Sequence, residues 1–437
     1  MSEKGTCNFK DPETLKDILE LLHKIGTARG ISGPVLGTLE EEAKKYFKDG
    51  SEDSGLTSSL GTVFTNAQSI RESILETGRT IGTYNNFESA HRSHEDCPVK
   101  ISNALKKCLP KAYAALLFML FNCDGGMTKY SLGAWSGQKV NDSGVSNNDL
   151  CNWLTKEEKT LSGGTKPFTP GLVKRGFSDG ELDESNTADN VAENIKQSLG
   201  HDSAGSLQNV LCGFMFSCPW DDALTGHACL FLHKFCSEVS TEGERLKGKF
   251  KGYSEELKDV CLGLQSSLQP FVSGSSQSHI LAVSQKVDNV YSGVFKNDSL
   301  DAYCDWLKRN LQNIIQSLNL MSEDCKNWGS PHSFEWGYTA GPFLYGFVPK
   351  DKSWMNHIKE NLPPKIKSLT ASLEKLEKAL QTSSSVSSSS SSSAGATAGG
   401  VFTGILGTGG LGAGAAYGLN LFGFKNLVTS LISSLLK

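Results

Sequence analysis

The sequence lacks an excess of basic residues. Its 43 Lys and Arg are outnumbered by 47 Asp and Glu, which gives a formal net charge of −4. Nucleic-acid binding of a general kind requires a concentrated basic surface, so this balance argues against it. The P-loop, H-E-x-x-H and G-x-S-x-G patterns are also missing from the sequence. We therefore predict a protein that is not an enzyme and has no catalytic, cofactor-binding or metal-binding residues.

The first ten residues lack the apolar segment of an ordinary secretory signal peptide. Two explanations stay open. Either the true start of the protein lies elsewhere, or export depends on an internal or C-terminal signal.

Long apolar runs are missing from the first 390 residues. The most apolar stretch is LPKAYAALLFMLFNC at 109–123, followed by Asp124-Gly125-Gly126. Its uninterrupted apolar part is shorter than the roughly 20 residues that a membrane-spanning helix needs. We therefore predict a buried central helix that ends at the Asp-Gly-Gly sequence.

Cysteine is absent only from the C-terminal part of the chain. An even number of cysteines in the presumed globular part predicts a disulfide framework in an oxidising compartment, and a reduced interior is the alternative. Asn141 and Asn297 each begin an N-x-Ser sequence, which makes them candidates for N-glycosylation. The twelve cysteines are at positions 7, 97, 108, 123, 151, 212, 218, 229, 236, 261, 304 and 325.

Apolar residues recur at helical spacing through most of the first 381 residues, which predicts a mainly α fold. The first helix is expected to begin at Asp11-Pro12-Glu13, an N-cap followed by proline and an acid. A later helix is expected to have Ser299 as its N-cap and to run to Met321. The last predicted helix before the tail covers 364–381. The first predicted stripe is Leu15, Ile18, Leu19, Leu22 and Ile25, and the last is Ile366, Leu369, Leu373, Leu376 and Leu380.

The predicted architecture is a helical-bundle ectodomain with long polar loops, a Ser-rich stalk and a Gly-rich C-terminal membrane segment. Gly, Ser, Asn, Asp and Lys dominate 136–206, so we expect surface loops with only short helices there, and exposed epitopes on them. The predicted regions are an N-terminal helical region (1–135), a polar loop region (136–206), a C-terminal helical region of the same ectodomain (207–381), a Ser-rich linker (382–393) and a hydrophobic Gly-rich tail (394–437).

The tail contains the longest uncharged run of the protein, from Lys378 to Lys425. Its segment 401–424 is long enough to cross a bilayer as a helix, and glycine is tolerated in helices within lipid. Glycines spaced four apart would let two such helices approach closely, so self-association through them is expected. The predicted membrane segment is marked by Val401, Gly404, Gly410, Gly414, Gly418 and Phe424.

Three interpretations of the tail stay open. A single membrane span is preferred. A glycosylphosphatidylinositol signal fits the small residues loosely, but the internal Lys425 and the length of the tail argue against it. The third interpretation is a soluble or self-associating glycine-rich tail. Within it, 407–412 matches G-x-G-x-x-G, but no strand precedes it and no acid follows at the required distance, so composition explains the match.

Two groups of side chains have residue types that bind zinc. One is His91, His94 and Cys97, and the other is Cys229, His233 and Cys236. Neither group has the paired C-x-x-C spacing of a structural zinc module, so cysteines that pair elsewhere and a packed histidine are the simpler interpretation. The adjacent Asp221 and Asp222 would point apart in a regular element, and an N-cap before Ala223 explains them more simply.

Four segments, in order along the chain, resemble the secreted antigen 1 family of Babesia, a piroplasm parasite. They are LPKAYAALLFMLFNC (109–123), CGFMFSCPWDDALTGHACLFLHKFC (212–236), AGPFLYGFV (340–348) and AAYGLNLFGFKNL (415–427). The resemblance implies a multigene antigen of a blood-stage parasite that is exported or surface-exposed, contains cysteines and has a hydrophobic C-terminus. It implies no enzyme activity.

These observations predict a non-enzymatic, membrane-attached or secreted antigen that acts in host contact or immune diversion. The expected partners are a membrane, through the tail, and a host protein or antibody. The expected location is the surface of the parasite or host cell. The alternative is an intracellular helical interaction protein with free thiols and a self-associating Gly-rich tail.

Overall fold

The fold is given by a computed structural model, which describes residues 9–28, 30–43, 46, 56–76, 96–125, 135–142, 148–155, 172–199, 206–246, 250, 252–272, 281–282, 300–327, 341–349 and 354–386. All of these residues lie in the first of the two units into which the chain divides, Met1–Ser389. They are mainly helical, which confirms the prediction of a mainly α fold.

The helices in the described part of the chain are α1 (Leu15–Thr27), α2 (Ser32–Ala43), α3 (Leu56–Ile74), α4 (Cys97–Cys123), α5 (Asp149–Thr155), α6 (Ala188–Leu199), α7 (Ser206–Phe214), α8 (Thr225–Thr241), α9 (Gly243–Leu246), α10 (Glu255–Leu268), α11 (Leu300–Asp324) and α12 (Trp354–Val386). Short 3-10 turns cover Asp179–Glu181, Asp222–Leu224, Gln269–Phe271, Cys325–Asn327 and Gly341–Tyr345. Strands β1 (Leu281–Ala282) and β2 (Val348–Pro349) pair antiparallel, with Leu281 opposite Pro349.

Helix α1 begins later than the sequence predicts. Its N-cap is Thr14, whose hydroxyl accepts a hydrogen bond from the Asp17 amide, while the Asp17 carboxylate accepts one from the Thr14 amide, each over 3.1 Å. This reciprocal pair satisfies two amides at the helix end, so it prevails over the start expected at Asp11. The predicted apolar stripe of α1 is confirmed, since all five of its residues are buried.

Helix α4 is the predicted buried helix and is longer than the sequence indicates. It begins at Cys97, contains Pro110 within its length and ends at Cys123. The amide of Asp124 donates a hydrogen bond to the Leu120 carbonyl over 2.9 Å, which confirms the predicted end. Proline cannot make the backbone hydrogen bond of a helix interior, and Pro110 is buried there together with Cys108, Leu109 and Ala112, whereas Lys111 is exposed.

The first group of helices packs around α4. Helices α2 and α6 contact α4, and α3 contacts α1, α6 and α7. Helix α6 lies in the stretch predicted as polar loops, and Val191, Ile195 and Leu199, spaced four apart, are buried. Short helices were expected in this stretch, and 188–199 is one of them, with a narrow apolar stripe among polar residues. These contacts also cross the boundaries predicted at 135 and 206.

The second group of helices comprises α8, α10, α11 and α12. Helix α10 packs against α8 and α12, and α12 packs against α11. The predicted stripe of α12 is buried, and so is the apolar face of α11, which includes Leu307, Leu311, Ile314 and Leu318, as expected for a bundle. Helix α12 continues to Val386, so it includes the first residues of the predicted Ser-rich linker. In the described residues we find no helix that combines the length and apolarity needed to cross a membrane.

Aromatic rings fill the core in two clusters. In the first, Phe231 lies 4.8 Å from Phe216, 5.3 Å from Tyr303 and 5.8 Å from Trp306, measured between ring centroids. In the second, Phe343 from the 3-10 turn lies 5.8 Å from Phe118 and 5.2 Å from Phe121 of α4. The second cluster therefore joins two segments that are distant along the chain.

The predicted disulfide framework is wrong for most of the cysteines. Ten of them are free thiols, and eight of these are buried within the helical core. Cys97 is disulfide-bonded, and its partner lies outside the described residues. A buried thiol behaves as a small apolar side chain, so an even number of cysteines does not require pairing. The free thiols are those of residues 108, 123, 151, 212, 218, 229, 236, 261, 304 and 325.

Candidate functional site

The predicted glycosylation and membrane residues are only partly covered by the structure. Asn141 is partly exposed, and its side-chain amide donates a hydrogen bond to the Asp179 carbonyl oxygen over 3.1 Å. Asn297 and the membrane-segment residues from Val401 to Phe424 lie outside the described residues. Glycosylation and membrane insertion therefore stay predictions.

The structure does not bring the zinc-type side chains of 229–236 together. Cys229 and Cys236 are fully buried, whereas His233 is partly exposed and its Nε2 lies 3.2 Å from Gln269 Oε1. In the other group, Cys97 is disulfide-bonded, and His91 and His94 lie outside the described residues. Within the residues that the structure describes, no three His, Cys, Asp or Glu side chains are placed to hold a metal ion.

A group of polar side chains lies where the two groups of helices meet. We call it the junction and define it by Trp220–His227, Tyr113, Ser317, Asp324 and the turn 341–346. At the junction, the beginning of α8 and the turn before it contact α4, α11 and the turn 341–345. Thr225, His227 and Ser317 are buried there. Burying a polar group without a hydrogen-bond partner lowers the stability of the fold. The hydrogen bonds of these groups are therefore described in turn.

The outer side of the junction is a chain of hydrogen bonds. Asp221 caps the 3-10 turn, since its carboxylate accepts a hydrogen bond from the Ala223 amide over 3.0 Å, which confirms the predicted N-cap. Asp222 instead accepts one from the Ser317 hydroxyl over 2.5 Å, and that hydroxyl accepts one from Trp220 Nε1 over 3.1 Å. The two adjacent carboxylates thus bond to different elements, and Asp222 and Trp220 attach the beginning of α8 to α11.

Asp221 and Tyr345 of the junction have altered proton affinity. Burial raises the pKa of the Asp221 carboxyl, and the Ala223 amide and the Lys111 ammonium offset part of this effect. The Tyr345 hydroxyl donates a hydrogen bond to the Asp324 carboxylate over 2.5 Å, and burial together with this bond raises the pKa of Tyr345. Asp221 also lies 3.7 Å from the Lys111 ammonium of α4, and Tyr345 bonds to Asp324 of α11, so the two groups connect the junction to two different helices.

Two glycines allow the turn 341–346 to touch α8. A Cβ added at Gly226 would lie 2.6 Å from the carbonyl oxygen of Gly346. Gly346 has a φ of +72°, and a Cβ added there would collide with the Ala223 carbonyl oxygen. Glycine is needed at Gly226 for the close approach and at Gly346 for both the close approach and the left-handed backbone. These two residues therefore determine how the turn 341–346 packs against α8.

The inner side of the junction contains a histidine with no strong hydrogen bond. His227 is fully buried, and its ring packs edge-on against Tyr113 with 5.1 Å between centroids. Neither ring nitrogen has a hydrogen-bond partner of ordinary geometry. Burial lowers the pKa of His227 from 6.5 to about 4, and the Ala223 carbonyl offsets only part of this effect. His227 therefore stays neutral in the folded protein at pH values where the unfolded chain would bind a proton.

This difference predicts a loss of stability in acid that depends on His227. Because the folded pKa is the lower one, stability is complete above pH 6.5 and is lost as the pH falls towards 4. The expected loss from this one group is about 3 kcal/mol. Urea unfolding at pH 7 and pH 4 measures it, with His227→Phe as the comparison because phenylalanine keeps the ring and cannot be protonated. Equal losses in the two proteins would contradict the prediction.

A shallow depression on the outer face of α11 offers little as a binding site. It has a volume of about 340 Å³ and is lined by Gln312, Ile315, Gln316, Asn319, Leu320 and Glu323. The depression is wide open to solvent, and its lining includes none of the residues that define the junction. Ligand sites for small molecules are normally concave enough to enclose most of the ligand.

Sequence reasoning identified the Asp221 cap and missed the rest of the junction. Ser317 and Tyr345 come from elements far from α8 along the chain, and no spacing rule connects them. Gly226 was a usable signal, since glycine within an apolar helix often marks a close backbone approach. Comparisons with protein-family models, with curated proteins and with solved structures found no match to this chain.

Proposed function

We propose that the protein is a non-enzymatic antigen, membrane-attached or secreted, that acts in host contact or immune diversion. The proposal rests on the resemblance of four segments to the secreted antigen 1 family of Babesia and on the uncharged tail that follows the helical unit. In this proposal, residues 1–381 are the ectodomain, and the tail attaches it to a membrane as a single span. The expected binding partner is a host protein or an antibody.

The surface of the described helices supports a membrane role for the tail. Among the described residues, three large hydrophobic side chains are exposed, namely Val99, Leu262 and Leu320, one on each of three helices. Binding to a bilayer requires a contiguous apolar surface or segment, and single exposed side chains do not supply it. The tail 394–437 supplies a long, largely apolar segment, so the proposal assigns membrane attachment to the tail.

Detergent-phase partitioning tests the membrane part of the proposal. The full chain should enter the detergent phase, and a chain that ends at Ser389 should stay in the aqueous phase. A chain that lacks only 387–393 is the matched control, since it shortens the linker, keeps the tail and should still enter the detergent phase. Full-length protein that stays in the aqueous phase would overturn membrane attachment.

A second candidate function is favoured by the ten free cysteines. Free thiols are typical of a reducing compartment, so they favour an intracellular helical interaction protein with a self-associating tail. Burial of eight of these thiols reduces the force of this observation, since enclosed thiols persist in oxidising surroundings as well. The location of the ectodomain decides between the two functions.

Lysine labelling on intact cells makes that decision. Lys107 and Lys111 have side chains that are 58% and 55% exposed, whereas Lys106 is 9% exposed and pairs with Glu42 over 2.7 Å. A membrane-impermeant amine reagent should modify Lys107 and Lys111 on intact cells if the ectodomain lies outside. Lys106 is the internal control and should stay unmodified throughout. Modification that appears only after permeabilisation would favour the intracellular function.

A further inference from the structure

The short turn Asp179–Glu181 ties helix α1 to the end of α3. The Lys16 ammonium of α1 donates hydrogen bonds to both oxygens of the Glu181 carboxylate, each over 2.7 Å. The amide of Glu76, just after α3, donates one to the Glu181 carbonyl oxygen over 3.0 Å. The Lys16 and Glu181 side chains are only 13% and 23% exposed, so solvent screens this ion pair less than a surface pair.

Ser178 immediately precedes this turn and is exposed. Its backbone is extended, with φ −114° and ψ 149°. Its amide donates a hydrogen bond over 3.1 Å to Glu181 Oε2, the same oxygen that accepts a bond from Lys16 Nζ. A group added to the Ser178 hydroxyl would therefore lie close to the Lys16–Glu181 pair.

The residues after Ser178 match the substrate pattern of kinases that recognise acidic side chains. The stretch 178–181 reads S-D-G-E, so acids stand at the first and third positions after the serine. A serine or threonine with acids at both of these positions occurs once more in the sequence, where 241–244 reads T-E-G-E. The pattern alone therefore offers two acceptors, Ser178 and Thr241.

The structure separates the two acceptors. Thr241 is the last residue of α8, and its hydroxyl donates a hydrogen bond to the Ser237 carbonyl oxygen over 2.7 Å. A protein kinase binds its substrate in an extended conformation, so Thr241 reacts only after the end of α8 unfolds. Ser178 is already extended, and a Cβ added at Gly180 would meet no atom within 4 Å, so the turn after Ser178 faces open space.

We propose that Ser178 is phosphorylated by an acid-directed serine/threonine kinase and that the phosphate separates Glu181 from Lys16. The Ser178 hydroxyl oxygen attacks the γ-phosphorus of ATP, and the bond from that phosphorus to the β,γ-bridging oxygen breaks. ADP leaves, and the hydroxyl proton passes to the catalytic base of the kinase. The inference goes beyond the proposed function and is independent of it, because it uses only residues of the helical unit.

The phosphate acts on the beginning of α1 through its charge, which is about −1.5 to −2 at neutral pH. It repels the Glu181 carboxylate and competes with it for the Lys16 ammonium, so the tie between α1 and the turn is lost. The neighbouring amides of Leu15 and Lys16 donate to the carbonyl oxygens of Lys174 and Arg175 over 2.6 and 3.0 Å. These backbone bonds should open more often once the ion pair beside them is lost.

The first experiment incubates the purified full chain with ATP and casein kinase 2, an acid-directed kinase, and maps phosphate by mass spectrometry. Ser178 should carry the phosphate, and Ser178→Ala should lose it. Asp179→Asn keeps the hydroxyl and removes one of the two acids, so it should lower the rate several-fold. Thr241→Ala is the matched control and should leave the rate unchanged. Phosphate on Thr241 with none on Ser178 would overturn the proposal.

Hydrogen exchange of the phosphorylated chain tests the effect on α1. The amides of Leu15 and Lys16 should exchange about tenfold faster than in the unmodified chain. The amide of Leu257 is the internal control, because it bonds to the Ser254 hydroxyl at the beginning of α10, over 3.0 Å, and should not change. Unchanged exchange at Leu15 and Lys16 would overturn the claim that the phosphate separates the ion pair.

Discussion

Phe231→Ala is expected to lower the free energy of unfolding by about 3–5 kcal/mol. The Phe231 ring is completely buried and touches the rings of Phe216, Tyr303 and Trp306. Alanine would leave a cavity between α8 and α11, because the surrounding rings belong to different elements and cannot all move inward. Denaturation in urea, followed by circular dichroism, measures the change.

Leu262→Ala is the control for the loss of a large apolar side chain. Leu262 is 59% exposed on α10, so its truncation leaves no cavity and should change the free energy of unfolding by less than about 0.5 kcal/mol. If Phe231→Ala were as mild as Leu262→Ala, the first aromatic cluster would not be the core of the second group of helices.

Gly226→Ala is expected to destabilise the protein by about 1–3 kcal/mol. Its Cβ would lie 2.6 Å from the Gly346 carbonyl oxygen and 3.2 Å from that of Tyr345, so the turn 341–346 would have to move away from α8. Both contacts are to backbone atoms, which cannot avoid the methyl group by changing rotamer. The Tm in a thermal melt reports the loss of stability.

The matched control is a second helical glycine. A Cβ added at Gly263 of α10 would meet no atom within 4 Å, so Gly263→Ala should stabilise the protein by about 1 kcal/mol through helix propensity alone. The two identical substitutions should therefore have opposite signs. A stabilising Gly226→Ala would show that the turn does not seat on α8 as described.

The sequence predicts the helices whose apolar stripes are broad. Helices α1, α11 and α12 bury their apolar stripes, and α4 buries its apolar run. Apolar residues spaced three and four apart lie on one face of a helix, so burial of that face is expected. Helix ends were predicted less well. Thr14 was overlooked because Asp11-Pro12-Glu13 is itself a strong signal for the start of a helix. The reciprocal hydrogen bonds between Thr14 and Asp17, which identify Thr14 as the N-cap, are visible only in the structure.

Contacts between distant segments could not be read from the sequence. The bond from Ser317 to Asp222 and the contact of Gly226 with Gly346 depend on how helices pack, which no local pattern records. The cysteines illustrate the same limit. Their number is compatible with pairing or with burial, and the choice depends on how the fold encloses each side chain, as the eight buried free thiols show.

The contact of Phe343 with α4 has a consequence for folding during synthesis. Phe343 completes the aromatic cluster around Phe118 and Phe121, yet the ribosome makes it long after α4. Until then, part of the apolar surface of α4 stays uncovered in the growing chain. Such surfaces bind chaperones or aggregate, so the amino-terminal helices are expected to reach their final packing only when synthesis is almost complete.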